Sequence, residues 1–120
     1  MDFKKIFRKP AILFVTLWAN HVYRKGVKAA EQRHEQEHTT IYLASDSFHP
    51  DCLVTYNKEQ FKAEKAVYGM AARTLTMNTL RYGCYYHTTD RFNHSGLSMH
   101  EQTIRRKAFV RERLHRAGLL

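Results

Sequence analysis

One apolar run near the amino terminus constrains the fold of this chain more than any other feature. It covers residues 10–19 (PAILFVTLWA), and no other segment of the 120 residues is comparably apolar. A domain of this size needs such a segment for its core, because small domains bury a modest share of their surface on folding. We therefore expect a helix that begins near Pro10, where a missing N–H costs nothing, and whose residues 11–22 are mostly buried.

Two alternatives for this run stay open, because the bases of residues 4–9 precede it. In the first, the helix lies in a membrane interface with Trp18 and Tyr23 at the depth of the lipid headgroups. In the second, it is an export signal, although no cleavage site of the small-x-small type follows it. A transmembrane span is not expected, since residues 10–23 would form a helix of about 21 Å against about 30 Å of hydrocarbon.

Length and charge bound the organisation of the chain and its partners. The 120 residues predict a single domain over residues 1–120, with residues 1–9 as a candidate flexible basic arm. The formal net charge is +9, and the excess is concentrated in residues 1–28 and 105–120. Such clustering favours a nucleic acid, an anionic membrane or an acidic protein surface as partner, the alternative being a merely solvated basic surface.

The rest of the sequence predicts an α+β fold that is mainly helical. We expect a long N-terminal helix, a short two-stranded antiparallel hairpin at residues 39–43 and 53–56, and two or three further helices, the last of them basic. Asn57 with Gln60 is a capping pattern for a helix over residues 58–70.

Further capping signals place the later elements of the chain. Ser98 with Glu101 predicts a helix over residues 99–116 that ends at Gly118. Residues 84–89 have a strand-like composition, and Thr76 or Asn78 could cap a short helix before them.

Two cysteine–histidine pairs form a candidate zinc site. His49 precedes Cys52 by three residues, and His87 follows Cys84 by three residues. Ligands separated by two residues can grip a zinc ion from one turn of the chain, so these four residues predict a structural Cys2His2 site. The alternatives are two ordinary buried cysteines or a Cys52–Cys84 disulfide, and no other cofactor is expected.

The segment His34-Glu35-Gln36-Glu37-His38 also fits the H-E-x-x-H pattern of zinc proteases. Its surroundings are polar, whereas the helices that carry this motif in proteases are buried, so we expect a solvated helix face here.

The last helix carries the candidate nucleic-acid contacts. At 100° per residue, Val110 and Leu114 fall on a stripe that should face the core, and a different face carries arginines around an aromatic ring. Guanidinium groups suit phosphate oxygens, and an exposed Phe109 could stack on a base. The alternative is a second packing face, with the arginines paired to acidic residues 31–37. The predicted contacts are Arg105, Arg106, Phe109, Arg113 and Arg116.

These patterns favour a binding protein over an enzyme, because no glycine-rich phosphate loop or nucleophile–base arrangement stands out. We expect a small, basic, cytoplasmic protein that contacts nucleic acid or a nucleoprotein assembly through the C-terminal helix. The alternative is a structural, assembly or peripheral membrane protein, such as a phage-like accessory protein, that docks by its apolar N-terminal helix.

Overall fold

A computed structural model describes residues 3–45, 52–68, 83–89 and 95–120, and shows a mainly helical α+β fold. Its elements, in chain order, are α1 (Phe3–Glu37), β1 (Tyr42–Ser45), β2 (Leu53–Tyr56), α2 (Lys58–Tyr68), β3 (Tyr86–His87) and α3 (Met99–Arg116). The expected α+β class, the long first helix and the basic last helix are confirmed. The short helix expected after Thr76 or Asn78 lies outside the described residues, as does His49.

Helix α1 begins seven residues before the expected start. Pro10 lies inside the helix and not at its first turn. Proline has no N–H to donate to the carbonyl of residue 6, but Pro10 is exposed, so water can reach that carbonyl. At 35 residues, α1 is about 52 Å long and accounts for most of the 55 Å length of the molecule.

The strands form a three-stranded antiparallel sheet in the order β2-β1-β3. The predicted antiparallel hairpin is confirmed, with Leu43 opposite Thr55, but its first strand covers residues 42–45 and not the expected 39–43. β3 pairs with the other edge of β1, with Leu43 opposite Tyr86. Because cross-strand partners share a face, Leu43 and Tyr86 point together toward α1, where they pack with Ala30.

The predicted helix caps are present. Gln60 donates its backbone N–H to the Asn57 side chain at 2.8 Å, and the Asn57 N–H reaches back to Gln60 Oε1 at 3.1 Å. Ser98 accepts from the Glu101 N–H at 3.1 Å. Gly118 follows α3 with a φ of 73°, the left-handed conformation that glycine adopts without penalty.

Gly26 explains how the sheet approaches α1 so closely. A β-carbon at this position would lie 2.9 Å from Leu43 Cδ1, closer than carbon atoms pack. Glycine in mid-helix costs about 1 kcal/mol relative to alanine. At position 26 that cost is offset by the close packing of β1 on the helix.

The core has two parts, and both of them rest on α1. One joins Ala19 and Tyr23 to Phe109, Val110 and Leu114 of α3. The other joins Ala30 to the sheet through Ile41, Leu43 and Tyr86.

The expectation that residues 11–22 are mostly buried is wrong. Ala19 is fully buried, and Ile12, Val15 and Val22 pack against the core from partly buried positions. The largest side chains of the run point outward, with exposed fractions of 60% for Leu13, 72% for Phe14, 62% for Leu17 and 40% for Trp18. A run that is apolar on every face of a helix can offer only one face to its own core, and this domain covers no more than that.

Candidate binding surfaces

Helices α1 and α3 pack side by side in opposite directions. Arg8 Nη2 donates to the Leu119 carbonyl at 3.0 Å near one end of the pair. Near the other end, Tyr23 Oη donates to the Tyr85 carbonyl at 2.8 Å and lies 3.5 Å from the Gln102 carbonyl. Tyr23 is therefore tied into the interior, and it is not available at a lipid headgroup as the interfacial interpretation required.

Phe109 is at the centre of this packing and is not exposed as predicted. Its exposed fraction is 0%, and its ring meets Tyr85 edge-on at 5.1 Å and Tyr23 at 6.3 Å. Arg113, also predicted as a nucleic-acid contact, is 2% exposed, and its guanidinium lies 5.0 Å from the Phe109 ring centroid. A buried ring cannot stack on a base.

Two further predicted contacts hold the fold together from partly buried positions. Arg105 Nη1 donates to the Cys84 carbonyl at 2.7 Å, and its Nε lies 3.2 Å from Glu101 Oε1. Arg106 donates to the side chain of Asn20 across the two helices. Arg116 is the most exposed of the predicted set, and it pairs loosely with Glu112 at 3.5 Å.

Burial also governs the pKa values of the tyrosines between α1 and α3, a packing region that we call the seam. It raises the pKa of Tyr23 to about 12, since the phenolate would lose its hydration there. Burial raises the pKa of Tyr85 as well, and so does the hydrogen bond that its hydroxyl donates to Glu112. The same hydrogen bond lowers the pKa of Glu112 by stabilising its carboxylate. The seam is a packing interface and not an open binding face.

The structure gives no support to the predicted zinc site. Among the described residues, no three His, Cys, Asp or Glu side chains lie close enough together to hold a metal ion. Cys52 is exposed beside β2 and Cys84 is buried beside β3, on opposite sides of β1, and neither forms a disulfide. Burial raises the pKa of the Cys84 thiol, which disfavours the thiolate that zinc binds.

The H-E-x-x-H segment is not a zinc motif in three dimensions. His34 is buried, with Nδ1 2.7 Å from the Thr39 carbonyl and 3.2 Å from Thr88 Oγ1. His38 follows the last residue of α1 and has a φ of 56°. His34 thus links the end of the helix to the sheet, and the two histidines do not share a helical face.

The first candidate surface is the outer face of α1, which we call the apolar patch: Leu13, Phe14, Leu17 and Trp18. At 100° per residue these four side chains are centred roughly 180° around the helix from Ile12, Ala19 and Tyr23, which pack in the core with α3. The patch therefore points away from α3. Contiguous exposed apolar side chains on a small protein mark an interaction site.

Exposed bases surround the apolar patch along the same helix. Lys9 precedes it, and Arg24, Lys25 and Lys28 continue its outer face toward the middle of α1. No acidic residue occurs from residue 3 to residue 30. Up to residue 30, every charged residue on the outer face of α1 is therefore basic.

The second candidate surface is the outer face of α3, which we call the basic stripe: Lys107, Arg111 and His115. These residues recur every four positions, so they share one face, and all three are exposed. Phe109, Arg106 and Arg113 lie roughly 180° away around the helix and face the interior. The basic stripe and the apolar patch are on opposite sides of the α1–α3 pair.

The sequence analysis missed the basic stripe because it predicted too narrow a buried arc for α3. The four-residue spacing of Lys107, Arg111 and His115 was the signal that could have identified the stripe. The bases of α1 were recognised as a charged segment, and the interfacial alternative joined them with the apolar run in one membrane-bound helix. The main expectation of a buried run missed the exposed apolar face.

No protein-family model matches this chain, and no curated protein or solved structure is significantly similar to it. Within the described part of the chain, no helix has both the length and the apolar character needed to cross a membrane.

Proposed function

We propose that this chain is a non-enzymatic peripheral protein that docks on anionic membranes through the outer face of α1. The observation that carries the proposal is the apolar patch, an exposed set of two leucines, a phenylalanine and a tryptophan on one side of a helix. Interfacial helices use these residue types to enter the boundary between headgroups and acyl chains.

Charge favours an anionic lipid surface as the occupant of this face. The patch is bordered by Lys9, Arg24, Lys25 and Lys28. Each base near an anionic bilayer contributes about 1 kcal/mol of attraction, and each apolar side chain transferred fully from water contributes about 1.5–3 kcal/mol. The two contributions act on the same face and support the same orientation on the surface.

A second copy of the chain is a less suitable occupant. Two α1 helices that met through their apolar patches would bring two acid-free basic segments together. Like charges at such an interface oppose association, whereas an anionic bilayer neutralises them.

The proposal keeps the cytoplasmic location expected from the sequence. Two cysteines that form no disulfide suit a reducing compartment. The cytoplasmic leaflet is also the one that carries the negative surface potential.

The single tryptophan of the chain gives a direct test. Trp18 is 40% exposed, so its fluorescence should shift to shorter wavelength when vesicles of phosphatidylcholine and phosphatidylglycerol are added. The protein should sediment with these vesicles and stay in the supernatant with pure phosphatidylcholine. Phe14→Ser/Leu17→Ser should weaken binding at least tenfold for each side chain removed.

A matched control is available on α3. Met99→Ser/Ile104→Ser removes two exposed apolar side chains from another surface and should leave vesicle binding unchanged. Equal losses in the two double variants would show that hydrophobicity in general, and not the apolar patch, drives binding. An unshifted Trp18 spectrum with anionic vesicles would overturn the proposal, and so would a dimer that Phe14→Ser/Leu17→Ser converts to monomer.

A further inference from the structure

The basic stripe lies on the opposite side of the α1–α3 pair from the apolar patch. We propose that the basic stripe of α3 binds the phosphate backbone of double-stranded nucleic acid without reading its sequence. This inference does not depend on membrane docking, because the stripe and the apolar patch share no residue.

Exposure and spacing carry the first step of the argument. Lys107, Arg111 and His115 are exposed on one face of α3. Lys107 and Arg111 are about 6 Å apart along the helix axis, so two positive charges lie in line on this face, with His115 one turn further on. The segment 105–120 has six bases and one acid, so the field around this end of the chain is strongly positive.

The chemistry of the stripe favours a polyanion over a lipid surface. Ile104 is the one large apolar side chain that shares its face, since Phe109, Val110 and Leu114 are buried in the core. A face of this kind attracts phosphates but has little area to insert among acyl chains. Arg111 in addition offers the guanidinium fork that matches phosphate oxygens.

The burial of Phe109 decides between double-stranded and single-stranded partners. Phe109 is the one phenylalanine, tyrosine or tryptophan of α3, and its exposed fraction is 0%. The stripe therefore has no ring of this kind on which an unpaired base could stack, and stacking is a main source of single-strand affinity. Contacts to a duplex backbone need only exposed cations.

The test is the salt dependence of binding to a short DNA duplex, measured by fluorescence anisotropy between 50 and 200 mM salt with no lipid present. Each phosphate contact contributes a slope of about −0.9 to the plot of log affinity against log salt. Lys107→Gln/Arg111→Gln should therefore reduce the magnitude of the slope by about 1.8 and weaken binding to unrelated sequences equally.

Lys25→Gln/Lys28→Gln is the matched control, because it removes the same charge from an exposed part of α1. It should leave the slope unchanged. An equal reduction by both double variants would mean that net charge alone attracts DNA, and it would overturn the assignment to α3. Absence of binding at 50 mM salt, or tighter binding of the corresponding single strand, would overturn it as well. A negative result here leaves the vesicle test of α1 unaffected.

Discussion

Two neighbouring helices of this protein differ in which side chains they bury. Around residues 13–18, α1 exposes four large apolar side chains to solvent, while around residues 109–113, α3 holds a phenylalanine and an arginine in the interior. α3 packs against α1 and against the residues just before β3, where Arg105 reaches Cys84 and Tyr85 meets Phe109. Among the residues that the structure describes, no such neighbour covers the outer face of α1 around residues 13–18.

The contrast shows that the arrangement of neighbouring segments, and not the polarity of a side chain, sets its burial. Around residues 109–113, contacts from α1 and from Tyr85 bury a wide arc of α3, and the arginine within that arc is buried with it. Around residues 13–18, α1 meets its partners on one side, and the opposite side is exposed even though it is apolar. The exposed half of α1 is then available for binding.

The largest expected difference between the two helices is in stability. Phe109→Ala should lower the free energy of unfolding by about 3–5 kcal/mol, the usual cost of emptying a buried aromatic site. Phe14→Ala makes the same substitution at an exposed site and should change it by less than about 0.5 kcal/mol. Urea unfolding of the two variants measures the difference. Similar losses of stability in both variants would contradict the difference in burial between Phe109 and Phe14.

The basic border of the apolar patch should have a large effect on membrane binding. Lys25→Gln/Lys28→Gln removes two exposed bases at about 1 kcal/mol each, so partitioning onto anionic vesicles should fall about thirtyfold at low salt. Vesicle sedimentation measures the change. Lys107→Gln/Arg111→Gln removes the same charge from α3 and should bind vesicles like the wild type, and a comparable loss there would contradict the proposed orientation.

A smaller effect is expected at the seam between the helices. Tyr23→Phe removes the hydroxyl that donates to the Tyr85 carbonyl and should destabilise the fold by about 1 kcal/mol at neutral pH. Because the folded pKa of Tyr23 is raised to about 12, the wild type should lose stability as the pH rises from 10 toward 12.

Denaturant unfolding at pH 7 and pH 11 separates these two contributions of Tyr23. Tyr23→Phe should lose less stability than the wild type over this interval, because it has one fewer tyrosine to ionise. An equal loss of stability would show that the Tyr23 hydroxyl is not buried between α1 and α3.

The smallest expected effect is on the acid side. The pKa of Glu112 is lowered by its hydrogen bond to Tyr85, so its contribution to stability is present above the ordinary value of 4.5 and is lost as the pH falls through the lowered value. Glu112→Gln should make the stability less dependent on pH below 4.5. Glu59→Gln, on exposed α2, is the control and should retain the wild-type dependence.

Local signals in the sequence predicted most elements of this fold. Asn57 and Ser98 started their helices as predicted, because a side-chain acceptor three residues before a free N–H acts locally. β-Branched and aromatic residues indicated the hairpin, although its first strand covers residues 42–45 and not the expected 39–43, and composition alone indicated the basic ends of the chain. These features depend on residues that are near one another in the chain.

Which faces are buried depended on long-range packing. Residues 11–19 are apolar on all sides, so their periodicity could not select the face that meets the core. In α3 the apolar stripe indicated Val110 and Leu114 correctly, but Tyr23 and Tyr85 extended the buried arc to Phe109, and Arg113 is buried beside its ring. Burial is a property of the whole set of neighbours, and those neighbours come from segments that are distant in sequence.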